Sequence, residues 1–308
     1  MLYHRVLVTG ANGLVGQTLV ALLGSRPEYD VLATGRDPLP RSPTGSFGYT
    51  ALDITNAAEV RDLLHYFTPD AVVNCAALSL PDACEADRTT CWRLNVKGTE
   101  HLAKACRMVG SRLIQLSTDF VFDGTAGPYA EDERPNPVNF YGQSKWAAEN
   151  VAREAGLDRW AVVRTVLVYG TGAHLSRSNF VLRLLEHLQQ GKPYRVAHDQ
   201  WRTPTYLGDL VEGIERLIRF EKSGLYHLSG REFLSTLDLA RTVARTFDLD
   251  ASLLIPVETA QLHHTAVRPM RTGLLILRAE SELGFKPRTL RTGLQHLGLR
   301  LGLATTTN

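Results

Sequence analysis

Apolar residues along the first half of the chain change period at regular intervals. Residues 5–9, 31–34, 71–74 and 112–116 are short runs rich in Val, Leu, Ile and Ala, of strand length. Between them, residues 14–23, 57–67 and 88–109 place apolar side chains at helical spacing. The alternation continues through a helical pattern over 141–155 and an apolar strand over 161–167. Strands alternating with helices imply right-handed crossovers and a parallel sheet covered on both faces. The expected class is therefore α/β, a doubly wound parallel sheet.

Beyond Gly170 the rhythm loosens, and helical patterns at 179–190, 207–220 and 236–247 are separated by loops containing Pro, Gly and His. These residues predict a smaller C-terminal lobe over the strand ends, where open α/β sheets bind ligands. The expected division is a nucleotide-binding unit over 1–170 and a substrate-binding lobe over 171–308. Some segments of the second unit, the 207–220 helix among them, are expected to return to the main sheet.

Composition narrows the class little. With 34 basic and 32 acidic residues and no block of either sign, neither a nucleic acid nor a membrane surface is an expected partner. No apolar run approaches the ~20 residues that span a bilayer, and the N-terminal residues read as a first strand rather than a secretory signal. Cys75, Cys84, Cys91 and Cys106 form neither a C-x-x-C pair nor a disulfide framework. A reducing cytoplasm and no metal are the corresponding expectations.

The first strand runs into Thr9-Gly10-Ala11-Asn12-Gly13-Leu14-Val15-Gly16. Gly10 and Gly13 let backbone N–H groups approach a pyrophosphate, Gly16 permits close helix–sheet packing, and the helix N-terminus favours the negative charge. This is the phosphate turn of a Rossmann-type dinucleotide fold. The second strand ends at Gly35-Arg36-Asp37. Arginine there suits the 2′-phosphate of NADP(H) and an acid suits the ribose of NAD(H), so Arg36 favours NADP(H) while Asp37 keeps NAD(H) open. Asp53, with Ile54 beside it, is placed to meet the adenine, with a helix cap as the competing role. Asn74 and the small residues Cys75, Ala76 and Ala77 close the 71–74 strand, where backbone can lie against the cofactor.

Tyr141 and Lys145 share a helix face, being one turn apart. A phenol of pKa ~10 is a poor proton donor at neutral pH. A nearby ammonium stabilises the phenolate and makes proton transfer easier. Thr118, ending the Arg112 strand in Ser117-Thr118-Asp119-Phe120-Val121-Phe122, can hydrogen-bond a substrate carbonyl. Tyr141 and Lys145 also count among the cofactor contacts, since the lysine can hold the nicotinamide ribose.

These motifs, with Asp82-Ala83-Cys84-Glu85, Asn95-Val96-Lys97-Gly98-Thr99, Arg202-Thr203-Pro204-Thr205 and Arg268-Pro269, resemble the extended short-chain dehydrogenase/reductases. Within them the chain is similar to the dTDP-4-dehydrorhamnose reductase family, which also contains the regulatory β subunit of methionine adenosyltransferase. The resemblance implies Thr118, Tyr141 and Lys145 as the catalytic set and Asn95 as its support. It points to Ser79, Asp119, Phe122, Asn179, Arg202 and Arg268 as substrate contacts. The activity implied is reduction of a keto group on a nucleotide-linked sugar, with a homodimer as a candidate assembly. An NAD-retaining epimerase or dehydratase and a non-catalytic, cofactor-binding regulatory subunit are the alternatives.

Overall fold

The computed structural model describes residues 4–42, 46–175 and 178–306. Its centre is a parallel sheet of β1 (His4–Thr9), β2 (Tyr29–Gly35), β3 (Gly48–Ala51), β4 (Ala71–Asn74), β5 (Arg112–Thr118), β6 (Trp160–Thr165) and β11 (Gly224–His227). The spatial order is β11-β6-β5-β4-β1-β2-β3. Every residue of β4 is buried, as expected of a parallel strand covered on both faces. The order reverses between β1 and β4, the point at which open α/β sheets take ligands in a crevice at the carboxyl ends of the strands.

One face of the sheet is covered by α1 (Leu14–Gly24), with α8 (Leu207–Arg219) and α10 (Leu277–Leu283). The other is covered by α2 (Ala57–Phe67), α5 (Gly98–Val109) and α6 (Phe140–Glu154). Thus β11, α8 and α10 belong to the sheet layer although they lie late in the chain. Short strands β7 (Val168–Tyr169) and β10 (Thr205–Tyr206) form a separate pair, as do β9 (Trp201–Arg202) and β12 (Leu234–Ser235). A separate apolar cluster joins α7 (Phe180–Gln189), α9 (Thr236–Thr246) and α11 (Leu290–Leu301) with the pair β8 (Tyr194–Ala197) and β13 (Leu254–Val257).

Two elements depart from the sequence expectation. The single helix expected over 88–109 is broken into α4 (Arg88–Trp92), a π-helical turn (Arg93–Lys97) and α5. It follows α3 (Pro81–Ala86). A π turn inserts one residue into the helical ladder and re-aims the side chains around it; the apolar period is too coarse to reveal it. The strand expected over 161–167 ends at Thr165, because Leu167 takes a left-handed φ of 38° and leaves the ladder.

Candidate active site

The glycine turn is fixed by close backbone approach. Gly10 has φ +65°, and a Cβ there would lie 2.6 Å from the Ala76 nitrogen. The turn therefore rests directly on the Cys75-Ala76 segment that ends β4, and no side chain fits between them. A Cβ on Gly16 would meet Ala11 Cα at 2.8 Å. Gly13 caps α1 without a side-chain hydrogen bond, so the first N–H groups of α1, those of Leu14 and Val15 included, carry no side-chain cap. An uncapped helix start over a glycine cradle suits a pyrophosphate. These residues fit a dinucleotide.

At the β2 tip, Arg36 is exposed and has no hydrogen bond or ion pair among the described residues. Asp37 is occupied: its carboxylate accepts from Asn12 Nδ2 at 3.1 Å and Arg41 Nε at 2.8 Å. Asn12 Oδ1 also accepts from Arg41 N at 2.9 Å. Asn12 thus lashes the glycine turn to the loop after β2, and its side chain is spent on protein. Gln17, which the motif reading passed over, donates to Asn12 O at 3.0 Å and Ala173 O at 2.8 Å, tying the turn to the loop after β7.

Asp53 Oδ1 accepts from the Thr55 N–H and hydroxyl, both at 2.9 Å, while Asn56 caps α2. Asp53 is only half-buried. The Ile54 side chain does not face the crevice. It is packed in the core against Gly98, where a Cβ would meet Ile54 Cδ1 at 2.6 Å. Only its main chain could reach a ligand.

The chemistry-bearing side chains come from β5 and α6. Thr118 ends β5, and its hydroxyl donates to Asp119 Oδ1 at 3.0 Å. Tyr141 is 9% exposed and meets Phe120 edge to face, with ring centroids 5.9 Å apart. Asn139 caps α6 through the Gly142 N–H at 2.8 Å. Glu85 accepts from Phe140 N at 2.7 Å. Lys145 follows Tyr141 on the same face and is buried; burial pulls its pKa down to about 8, against the opposing pull of Glu149.

Asn95, on the π turn, accepts from Leu78 N at 2.8 Å and donates to Ser144 Oγ at 2.9 Å. Ser144 in turn donates to Tyr141 O at 2.8 Å. Asn95 therefore clamps the stretch of α6 between Tyr141 and Lys145 to the loop after β4. Asn74, absent from the sequence-derived site, joins Thr9 at 2.6 Å and Gln115 at 2.8 Å in a buried network across β1, β4 and β5.

The expected substrate contacts divide. Phe122 is a core residue, stacked on Tyr129 with centroids 4.1 Å apart. Asp119 and Arg202 are likewise buried and engaged by protein. Asp119 accepts from the Thr272 hydroxyl and faces Arg202 Nε at 3.7 Å. Arg202 donates to the carbonyls of Trp201, Met270 and Pro269. These three side chains anchor the 268–274 segment beneath the site and offer no surface to a ligand, which corrects the expectation. Asn179 caps α7 and holds Gly170 O at 2.8 Å. Arg268 is paired to Asp82 at 2.6 Å. Burial opposes ionisation of Asp82, but the Ala266 N–H and Arg268 outweigh it and hold it below the ordinary carboxylate value. Ser79 is half-buried in the loop after β4.

Among the described residues no helix is long and apolar enough to cross a membrane. A dTDP-4-keto-6-deoxy-D-glucose reductase of Streptomyces niveus is 35% identical over 271 residues, spanning 88% of both chains. The methionine adenosyltransferase 2 subunit beta of Mus musculus is 31% identical over 95% of this chain and 86% of its own. Among solved structures, a dTDP-4-dehydrorhamnose reductase from Bacillus anthracis in complex with NADP superimposes with a TM-score of 0.86. It shares 29% identity, over 97% of this chain and 99% of that one. The sequence pattern of the RmlD substrate binding domain family extends over residues 4–301, from the first strand through the last helix, and the chain belongs to that family.

Proposed function

We propose that this protein is a nicotinamide-coenzyme-dependent oxidoreductase that reduces the keto group of a nucleotide-linked sugar, of the dTDP-4-keto-6-deoxy class named for its relatives. The observations that carry the reading are that Thr118 ends β5, that Tyr141 on α6 packs edge to face on Phe120 two residues beyond it, and that Lys145 lies buried one turn along α6, in the sheet whose β1 leads into the glycine turn. Gly10, Gly13, Gly16 and the start of α1 would hold the pyrophosphate. Asp53 and the Cys75–Ala77 backbone would line the rest of the dinucleotide. Arg36 is free for a 2′-phosphate while Asp37 is already bound, which favours NADP(H) over NAD(H).

When bound, the coenzyme supplies the hydride. Tyr141 delivers the proton to the carbonyl oxygen from its phenol oxygen. Lys145 stabilises the phenolate this leaves and holds the ribose. Thr118 has one proton, which in this structure goes to Asp119; turning it away from that carboxylate lets the hydroxyl polarise the substrate oxygen. Asn95 acts through Ser144, keeping the α6 turn that carries the phenol and the ammonium in register. Ser79 and Asn179 are the sugar-nucleotide contacts left at half-buried positions, with Arg268 held at the rim by Asp82. The free thiols of Cys75, Cys84, Cys91 and Cys106 support a reducing, cytoplasmic setting.

The test is NADPH consumption across a panel of 4-keto sugar nucleotides, with Tyr141→Phe as control. Turnover by the parent and none by the variant, with NADPH affinity retained, is the expected result. Folded protein that binds NADPH yet consumes none with any member of the panel would overturn the reading. The similarity to the methionine adenosyltransferase subunit favours one second reading, a regulatory subunit. It predicts a stable enzyme partner and no turnover. Protein arriving with bound NAD and consuming no NADPH would mark an epimerase or dehydratase.

A further inference from the structure

Directly behind the lysine lies an ion pair that the proposed chemistry does not use. Glu149, one helical turn beyond Lys145, is 0% exposed, and Arg164 on β6 is 1% exposed. The two form a fork, Arg164 Nε to Glu149 Oε1 at 2.8 Å and Nη2 to Oε2 at 2.7 Å. Ser117, whose side chain leaves β5 on the face opposite Thr118, donates to the same carboxylate at 2.5 Å. Arg164 is saturated from behind: its Nη1 faces His227 Nε2 at 3.5 Å, and its guanidinium lies 5.0 Å over the Phe122 ring. Burial and Arg164 hold His227 neutral, with its pKa lowered to about 3, so it can accept.

A fully buried carboxylate with one buried cation at its back and a second one helical turn away is an expensive arrangement. Replacing such a pair by apolar residues is often neutral or stabilising, so stability alone does not account for it. We infer that the Glu149–Arg164 pair is a positioning device for Lys145, holding the ammonium charged and directed along the α6 face that carries Tyr141. The inference rests on the catalytic placement of Lys145 given above.

Besides Glu149 and the Tyr141 phenol on its own helix, the groups facing Lys145 are thiols: Cys75 beyond β4, Cys84 on α3 and Cys91 on α4. Burial pushes Cys75 up to about 12, and contact with Cys91 together with burial raises Cys84 further. Cys91 is drawn down by its contact with Cys84, which makes it the thiol to test against Glu149. Glu149 itself faces Arg164 and Ser117 from the sheet and Arg153 at 3.9 Å from its own helix. Buried Lys145 titrates near 8 with Glu149 pulling upward. Removing a neighbouring opposite charge is expected to lower that midpoint by about 1 unit or more.

The test labels lysine with ¹³C at Cε and follows the Lys145 resonance, assigned by its loss in Lys145→Arg, against pH. Glu149→Gln is expected to move the midpoint down, with Cys91→Ser leaving it in place. Should Glu149→Gln fail to fold, Glu149→Gln/Arg164→Gln removes both charges and decides. Glu149 is the leading influence that raises Lys145, and Arg164 is not among the leading ones, so the double variant should also titrate below the parent. An unmoved midpoint in the folded variants, or a shift produced by Cys91→Ser instead, overturns the inference. The titration needs no turnover, so it stands even if NADPH consumption fails. If the parent is active, the alkaline limb of kcat should shift in parallel.

Discussion

Gly142 follows Tyr141 on α6 and sits against the turn after β5. A Cβ at this position would fall inside the Phe120 carbonyl and lie 2.9 Å from Pro137 Cβ. Carbon atoms pack best at about 3.5–4.0 Å, so Pro137 alone demands a retreat of roughly 0.6 Å. The Phe120 carbonyl is backbone and demands more. Neither can rotate away, so α6 must lift from the segment that holds Thr118 and Phe120. Gly142→Ala should therefore shift Tyr141 relative to Thr118 while leaving every proposed catalytic side chain present.

The sign separates this reasoning from helix propensity. In an exposed helix interior, Gly→Ala stabilises by about 0.5–1 kcal/mol. Overpacking instead costs about 1–3 kcal/mol, and a misplacement approaching 1 Å can lower a rate about 10²-fold. The assay pairs denaturant unfolding with kcat for NADPH consumption on the best keto-sugar nucleotide. Lower stability with kcat reduced by one to two orders of magnitude is expected, together with near-parental NADPH affinity, because the glycine turn is untouched. A Gly142→Ala protein as stable and as fast as the parent would refute the contact geometry.

Three further outcomes follow from the same structure. Arg36→Asp should raise KM for NADPH about tenfold or more, the loss of one charge-assisted hydrogen bond of about 1.5–3 kcal/mol, and change KM for NADH far less; an unchanged NADPH/NADH ratio would remove Arg36 from the phosphate site. Arg202→Met should destabilise by about 3–5 kcal/mol, since it strands buried Asp119; raised KM at parental stability would make Arg202 a substrate contact after all. His227 is kept neutral below its ordinary value of 6.5, down to about 3. Between those values the unfolded chain binds the proton and the folded chain does not, so stability falls as pH drops through this window. His227→Gln should flatten that part of the curve, and an identical acid slope in the variant would sink the assignment.

Much of the fold was legible because the signals are local. A parallel strand buried on both faces must be apolar throughout, as in β4, and a turn that lies against another backbone must be glycine, as at Gly10. Tyr141 and Lys145 share a face because helical pitch alone puts them there. Phe122, Asp119 and Arg202 were misassigned for the opposite reason. Motif membership says nothing about direction, and all three side chains point inward where the 268–274 segment packs against the turn after β5 and against β9.

The sequence by itself determined the alternation of elements, the glycine turn and the placing of Tyr141 and Lys145 on one helix face, since each depends on residues within a few turns of one another. Only the tertiary structure decided where the π turn aims Asn95, that Asp37 is already bound while Arg36 is free, and that Glu149 and Arg164 meet behind the lysine. Those outcomes depend on which distant groups are buried together. Burial sets the cost of a charge, and no local pattern specifies which partner will meet that cost.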